Sequence, residues 1–399
     1  MPQYSVEILV VVDNLAYRQW LEVQSGSNQQ DKRHKAAEAV RGYIRSSFAA
    51  ANLILHGLTE HGLRLDARIL DVVVIQGDEA ITRRVNNRTL TANDHHVARD
   101  FWHWLVRNGY EFDHALLVTG YDLLSGGDSK TEGYAYMGTM CAHDSLSIVE
   151  NTMNGIFAVV FAHELGHSLG AYHDGDSNDC NATSGFIMND NDIGLSTRRW
   201  SYSSCSAESI LGKIRQLSRT VDCISADSTN SAEVEAPYLG QRYSADAICQ
   251  MTYGSTSYVC RHLYGVGRQE TICHIMWCYV NATYCSGIAS VDGVVCGAGK
   301  RCIAGSCVPF DDVPAEVTDT CYLGDMPHPV WRGQTCSEVI GRSKHSCLDS
   351  WYQRFCCRSC QRAHTGNDAC PYGDAYSTCS PRHCGTEWDA DCCSSCPRA

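Results

Sequence analysis

The chain has 399 residues, 44% of them hydrophobic and 19% charged, and a formal net charge of −13. That is too long for one ordinary core and globular rather than disordered. With no Lys/Arg cluster it is also too acidic to suggest a nucleic acid held by a basic face. No uninterrupted apolar run reaches the length of a bilayer span, so no membrane span is expected. Of the 24 cysteines, 12 follow residue 320, a density that implies an oxidising, secreted, extracellular setting. The sequons at Asn87, Asn181 and Asn281 fit glycosylation there. "MPQYSVEILVVVD" opens directly on a strand pattern, so any signal or pro-segment is expected to have been removed or never included.

The first stretch, 1–224, alternates strand and helix signals. Strands are expected over 4–13 and 63–76, then over 113–120 and 134–140. Helices are expected over 34–55, 95–108 and about 207–219. Residues 152–169, "TMNGIFAVVFAHELGHSL", are apolar nearly all round and read as a core helix. Together these predict one α/β layer domain. The small polar run 224–236 reads as a linker, and 310–319 as a second one. Eight cysteines lie in 237–310, and two blocks of six follow, in 320–361 and 369–399, each ending Cys-Cys-x-x-Cys ("CCRSC", "CCSSC"). Cutting at the linkers leaves 4, 8, 6 and 6 cysteines, every count even, as self-contained disulfide modules require; their connectivity stays open.

The chemistry concentrates in "HELGHSLGAYHD", residues 163–174. On a helix, residues four apart share a face, so His163 and His167 can present imidazoles to one ion. Gly170 ends the helix, because without a Cβ it accepts positive φ and reverses the chain. His173 can then approach the same ion from outside. Three nitrogen ligands with an open fourth position describe a catalytic Zn2+ rather than a structural one. Zinc lowers the pKa of water toward about 7; Glu164 can take the proton and pass it to a leaving amine while the hydroxide attacks a carbonyl carbon. The full pattern His-Glu-x-x-His-x-x-Gly-x-x-His arises by chance on the order of once in 10⁴ such chains, which sets coincidence aside.

These residues resemble the metzincin metallopeptidases, in which the extended zinc motif is followed by a methionine turn; Met188 of "SGFIMND" matches that methionine. Asp174, directly after the third histidine, narrows the resemblance to the adamalysin (reprolysin) branch, as do "HALLVTGYDL", "YMGTMC" and "SIVEN". "RRWSYSSCSAESI" is most similar to ADAMTS proteases. The resemblance implies an adamalysin-like catalytic domain with a mixed twisted sheet and a core zinc helix, followed by small disulfide-rich domains. It implies disulfides Cys141–Cys223 and Cys180–Cys205, and a structural Ca2+ on Glu7, Asp113 and the carbonyl of Cys223. The ligand usual three residues beyond that cysteine is Ala226 here, so Asp227 would have to shift in. It further implies that the strand 134–140 takes substrate as an added β-strand, with Gly138 and Thr139 as backbone contacts and Ile187 and Met188 walling the specificity pocket.

"YLGQRYSADAICQMTYG" makes 237–310 look like the disintegrin-like/cysteine-rich segment of these enzymes, without Arg-Gly-Asp; 320–361 resembles a PLAC module, and 369–399 a shorter copy. His274, between Cys273 and Cys278, reads as a neighbour of disulfides rather than a second zinc ligand. "FWHW" (101–104) and His95-His96 read as helix packing and surface. The expectation is a secreted, monomeric zinc metalloendopeptidase whose cysteine-rich modules dock extracellular protein substrates, matrix proteins among them. The opposing reading is an extracellular binding or toxin protein whose cysteine-rich modules carry the main activity.

Overall fold

The first strand, β1 (Gln3–Val12), buries apolar side chains on both faces: Val6, Ile8, Val10 and Val12 join one core, Leu9 and Val11 another. A strand covered on both sides belongs in the middle of a helix-flanked sheet, which is why it reads as one continuous apolar run. The computed structural model describes residues 3–78, 81–82, 86, 88–91, 96–125, 128–190, 196–220, 223–224, 236–264, 267–281, 284–387, 389 and 391–396. After β1 come α1 (Asn14–Val23), α2 (Gln29–His56), β2 (Arg64–Val74), β3 (Thr89–Thr91), α3 (His96–Arg107), β4 (His114–Thr119), β5 (Asp122–Ser125), β6 (Asp128–Thr131), β7 (Gly133–Ala135), β8 (Leu146–Glu150), α4 (Ile156–Ser168) and α5 (Ser204–Thr220).

The main sheet runs β2-β1-β4-β8-β7, parallel except for β7, which lies antiparallel at the edge. Helices α2 and α4 cover one face and α3 the other. This is the mixed α/β sheet expected from the sequence. Helix α1 was not foreseen. Its start is fixed by Asp13, whose carboxylate accepts the Ala16 N–H (2.8 Å), the Thr119 hydroxyl (2.6 Å) and the Gly120 N–H (3.1 Å). The strand expected over 134–140 stops at Ala135, because beyond it the backbone turns and bonds to α4. Gly138 N–H donates to His167 O (2.8 Å) and Met140 N–H to Ser168 O (2.9 Å). The Cys141–Cys223 disulfide closes a separation of 82 residues, worth roughly 4–5 kcal/mol in the loop-entropy picture.

Residues after the first linker form α6 (Leu239–Arg242), α7 (Ala245–Tyr253), β9 (Ile275–Asn281), β10 (Tyr284–Ala289), β11 (Val295–Gly297), β12 (Lys300–Ile303) and β13 (Ser306–Pro309). Four disulfides close this segment on itself: Cys249–Cys278, Cys260–Cys285, Cys273–Cys302 and Cys296–Cys307. It is not a loose appendage. Leu239, Ile248, Val291 and Val294 belong to the same buried cluster as α2 and α4. Ser46 donates to the Pro237 carbonyl (2.6 Å), and the buried Arg199 lies over the Trp200 ring and donates to the carbonyl of His274.

Then follow α8 (Cys336–Arg342), α9 (Ser350–Phe355) and α10 (Cys357–Ala363). The two six-cysteine blocks share one connectivity: first to fifth, second to fourth, third to sixth. In the earlier block these are Cys321–Cys357, Cys336–Cys356 and Cys347–Cys360. In the later block they are Cys370–Cys393, Cys379–Cys392 and Cys384–Cys396. An aspartate four residues after the first cysteine braces each. Asp325 accepts the N–H and hydroxyl of Ser359 (3.0 and 2.6 Å), and Asp374 those of Ser395 (3.0 and 2.6 Å). The later block therefore repeats the earlier one in bonding as well as in spacing.

The shared core generates a prediction. A chain ended at residue 236 uncovers apolar surface over α2 and α4, and its thermal midpoint should fall by roughly 5–10 °C relative to the full chain. Scanning calorimetry of the two decides it, and equal midpoints would mean that the contact contributes no stability.

Candidate active site

Helix α4 is apolar because it is buried nearly throughout: Phe157, Phe161, Ala162 and Leu165 are closed off completely. Its last turn carries His163 and His167 on the one face that opens. The helix ends where Gly170, at φ +89°, turns the chain and donates its N–H to His167 O (2.8 Å). Residues 171–174 then return His173 to the helix. The Nε2 atom of His173 lies 3.3 Å from that of His163 and 3.1 Å from that of His167.

The other ring nitrogens fix which atoms face inward. His163 Nδ1 is 2.6 Å from the carbonyl of Ile187, and His167 Nδ1 is 2.8 Å from that of Ala171. A carbonyl only accepts, so each Nδ1 carries the proton and each Nε2 presents a lone pair. His173 Nδ1 faces the Asp190 carboxylate at 3.5 Å and that of Asp176 at 3.8 Å. Burial, then the neighbouring imidazoles, hold His163 down to about 3; the same causes hold His167 down to about 4. The three Nε2 atoms thus converge on one point. Four nitrogen or oxygen ligands at about 2.0–2.1 Å in a tetrahedron lie roughly 3.3 Å apart, so the spacing and the donor set fit zinc.

Glu164 is buried beside them, and among the described residues its carboxylate has no hydrogen-bond partner. Burial alone pushes it up to about 8. Packing positions it instead. A Cβ on Gly133 would fall 2.5 Å from Glu164 Oε1 and 2.7 Å from Val160 Cγ1, so the edge strand approaches the carboxylate as closely as it does only because residue 133 has no side chain. Below the histidines Met188 is fully buried, its sulfur 2.8 Å from where a Cβ on Gly166 would lie, and its carbonyl accepts the Asp174 N–H (2.8 Å). Asp174, also buried, accepts the hydroxyls of Ser203 (2.5 Å) and Ser206 (3.3 Å), fastening the third-histidine loop to the start of α5. Cys180 and Cys205 are joined nearby.

Gly138 and Thr139 sit in a turn beyond the edge strand: the Gly138 N–H goes to His167 O, and the Thr139 carbonyl accepts the Ala142 N–H (2.7 Å). An outward sheet edge lies just before them. Glu150 N–H bonds to Glu132 O (2.9 Å), and by antiparallel alternation the backbone groups of Gly133 and Ala135 turn outward from β8. Ile187 is fully buried, with its N–H on Ser201 O and its carbonyl on His163. Met188 is fully buried as well.

Away from the histidines, Glu7 N–H donates to Asp113 Oδ2 (2.9 Å). Burial first, and then the nearby Glu7 carboxylate, raise Asp113. Cys223 is the disulfide partner of Cys141, and Asp227 lies outside the described residues. Cys273 and Cys278 are both in disulfides, which removes a second metal site at His274. Phe101 and Trp104 pack in the core under α3, while His95 is outside the described residues. Sequence reasoning did not find the carbonyls of Ile187 and Ala171, Asp190, Gly133 or Gly166. Only Gly166 left a signal, a glycine inside a helix where it costs about 1 kcal/mol.

Residues 68–224 match the family model described as Reprolysin (M12B) family zinc metalloprotease, and residues 239–308 match ADAMTS cysteine-rich domain 2. Among curated proteins the chain is similar to human "A disintegrin and metalloproteinase with thrombospondin motifs 18", 31% identical over 247 residues, covering 59% of this chain and 19% of that protein. It is similar to human number 7 of the same series, 31% identical over 274 residues (65% and 15%), and to human number 19, 30% identical over 304 residues (70% and 24%). The chain thus spans less than a quarter of the length of these relatives. A solved archaemetzincin from Methanopyrus kandleri is 14% identical, with a TM-score of 0.29 over 53% of this chain and 96% of that one.

Zinc added to the metal-free chain should stabilise it by about 2.7 kcal/mol at a hundredfold excess over the dissociation constant. Denaturant unfolding with and without zinc measures this. Glu164→Gln should keep the gain and His167→Ala should lose it.

Proposed function

We propose, on the premise that this is an ADAMTS-like metalloprotease joining a reprolysin domain to an ADAMTS cysteine-rich domain, that the chain is a secreted zinc-dependent endopeptidase hydrolysing extracellular proteins. One observation carries the reading: three imidazole Nε2 atoms converge beside a buried carboxylate packed under an outward sheet edge. His163, His167 and His173 hold the metal through Nε2, and the Ile187 and Ala171 carbonyls with Asp190 keep the rings oriented. When bound, zinc supplies Lewis-acid polarisation of a carbonyl and acidifies water toward a pKa of about 7.

The remaining chemistry belongs to the chain. Gly133 and Ala135 exchange backbone hydrogen bonds with an extended substrate added to β7, which fixes the direction in which the peptide runs past the histidines. Glu164 accepts the proton of the attacking water on its carboxylate and delivers it to the nitrogen of the departing amine. Met188 and Asp174 hold the histidine loop at fixed height. The twelve disulfides fit an extracellular life, and the cysteine-rich modules serve as docking surfaces for protein substrates, including matrix proteins. The working unit is a monomer. Calcium on Glu7, Asp113 and the Cys223 carbonyl, with Asp227 as a further ligand, offsets the mutual repulsion of neighbouring carboxylates and ties β1 to β4. The binding-protein alternative is not favoured, because both matched families are modules of proteases.

Glu164→Gln should lower kcat on a quenched peptide about 10²–10⁴-fold with zinc content unchanged; residual activity at the original level would defeat the mechanism. Gly133→Ala should lower kcat by driving Glu164 aside, with little effect on zinc content. Calcium should raise the thermal midpoint of the unsubstituted chain but not that of Asp113→Asn, and equal responses would remove calcium from this reading.

A further inference from the structure

The sheet face under α3 carries one row of side chains from strand to strand. Val11 of β1 lies opposite Leu117 of β4, Leu117 opposite Ile148 of β8, and Ile148 opposite Tyr134 of β7. All four belong to or pack against the cluster that includes the buried side of α3. The first three are buried, while Tyr134, on the edge strand, is half-buried. Residues opposite one another in neighbouring strands share a face and stand about 4.5–5.5 Å apart at Cβ, close enough to pack. The row therefore runs unbroken to the edge of the sheet, and its last member is the one still partly open to solvent.

Alternation along β7 sets which side chains join this face. Gly133 faces α4, since a Cβ there would fall 2.5 Å from Glu164 Oε1. Tyr134 then takes the opposite face. Tyr136 packs on the same cluster, and the two rings meet edge to face with centroids 5.6 Å apart. Burial first, then Tyr136 and the Glu164 carboxylate, push the Tyr134 phenol up to about 12. An anionic side chain placed beside Tyr134 would meet that same carboxylate, whereas at Tyr136 the charges of Asp144 and Arg99 act in opposite senses. The end of the row is thus aromatic, continuous with apolar core and unfavourable to an anion.

A peptide added to β7 through the outward backbone of Gly133 and Ala135 sets one of its own residues opposite Tyr134, on the face that Tyr134 occupies. In an antiparallel addition this is a pair without mutual hydrogen bonds, the closer of the two kinds, with Cα atoms about 4.5 Å apart. Ile148 already shows the match on the other side of Tyr134, a β-branched residue against an aromatic one. We infer that Tyr134 is a specificity-determining residue, which selects an aromatic or β-branched side chain at the substrate position opposite it, as the next member of the row. This deepens, and rests on, the reading of β7 as the strand to which substrate is added.

A quenched peptide that the full chain cleaves is varied one position at a time along both sides of the cut, with Ile, Tyr, Ala, Lys or Glu at each, and kcat and KM are measured separately. One position should favour Ile and Tyr over Ala by about two- to fivefold in kcat/KM, with the difference in KM, the size expected of such cross-strand pairs. At that position Tyr134→Ala should abolish the preference, and Tyr134→Phe, which keeps the ring, should preserve it. Every ratio compares peptides on one enzyme, so partial loss of folded protein cancels. If the alanine variant does not fold at all, Tyr134→Gln removes the ring while keeping side-chain length. The inference is overturned if no position shows a preference that depends on Tyr134, if the dependent preference is for Lys or Glu, or if Tyr134→Phe loses it as well. A chain that cleaves no peptide overturns the protease reading and this inference with it; cleavage without a Tyr134-dependent preference overturns the inference alone.

Discussion

The Nε2 atoms of His163 and His167 lie 3.3 and 3.1 Å from that of His173, a spacing that suits three ligands of one cation, and several parts of the first 224 residues hold them there. Two of the rings are fixed from behind by backbone carbonyls, which come from different places: Ala171 from the turn that closes α4, and Ile187 from the segment ahead of Met188. The third ring relies on an exposed carboxylate, Asp190. His163 and His167 are thus set by the fold itself, while His173 is set by a loop pinned through Asp174 to the start of α5 and stapled by Cys180–Cys205. A loop that must carry a ligand needs such external ties, because its own backbone offers few.

Packing rather than hydrogen bonding governs the carboxylate next to the histidines. Glu164 lies under β7 with no partner among the described residues, and the missing side chain of Gly133 admits it. The same closeness brings the outward backbone of β7 next to the Glu164 carboxylate, so a sheet edge and a buried acidic group share one boundary. Gly166 plays the matching part on the opposite side of α4, letting Met188 rise against the helix.

The cysteine-rich segments belong to this architecture to different degrees. The one matching the ADAMTS cysteine-rich domain shares a core with α2 and α4, so it buttresses the helix that carries the histidines as well as extending the surface. The two six-cysteine blocks keep their own bonding pattern, and the earlier one has a small core of its own. Arg261 joins the earlier of them to the body through a bidentate pair with Asp246 and two carbonyls.

The sequence by itself determined the identity of the three histidines and the glutamate, the helix that bears two of them, the alternation of strands and helices, and the division of the cysteines into closed modules. Each of these is local: ligand spacing follows from the helical period, burial from apolar runs, and module closure from parity. Helix α1 was missed although its cap, Asp13 on the Ala16 N–H, is local; Thr119 and Gly120, more than 100 positions away, add the bonds that hold Asp13 in place. Gly138, Thr139 and Ile187 look alike as sequence neighbours of a motif; the fold adds that the Gly138 N–H, the Thr139 carbonyl and both backbone groups of Ile187 bond within the protein. The roles of Gly133, Asp190 and the Ile187 carbonyl and the six-cysteine connectivity were decided by tertiary structure alone. All of them depend on which distant atoms come within a few ångströms, and no periodicity or spacing in the chain encodes that.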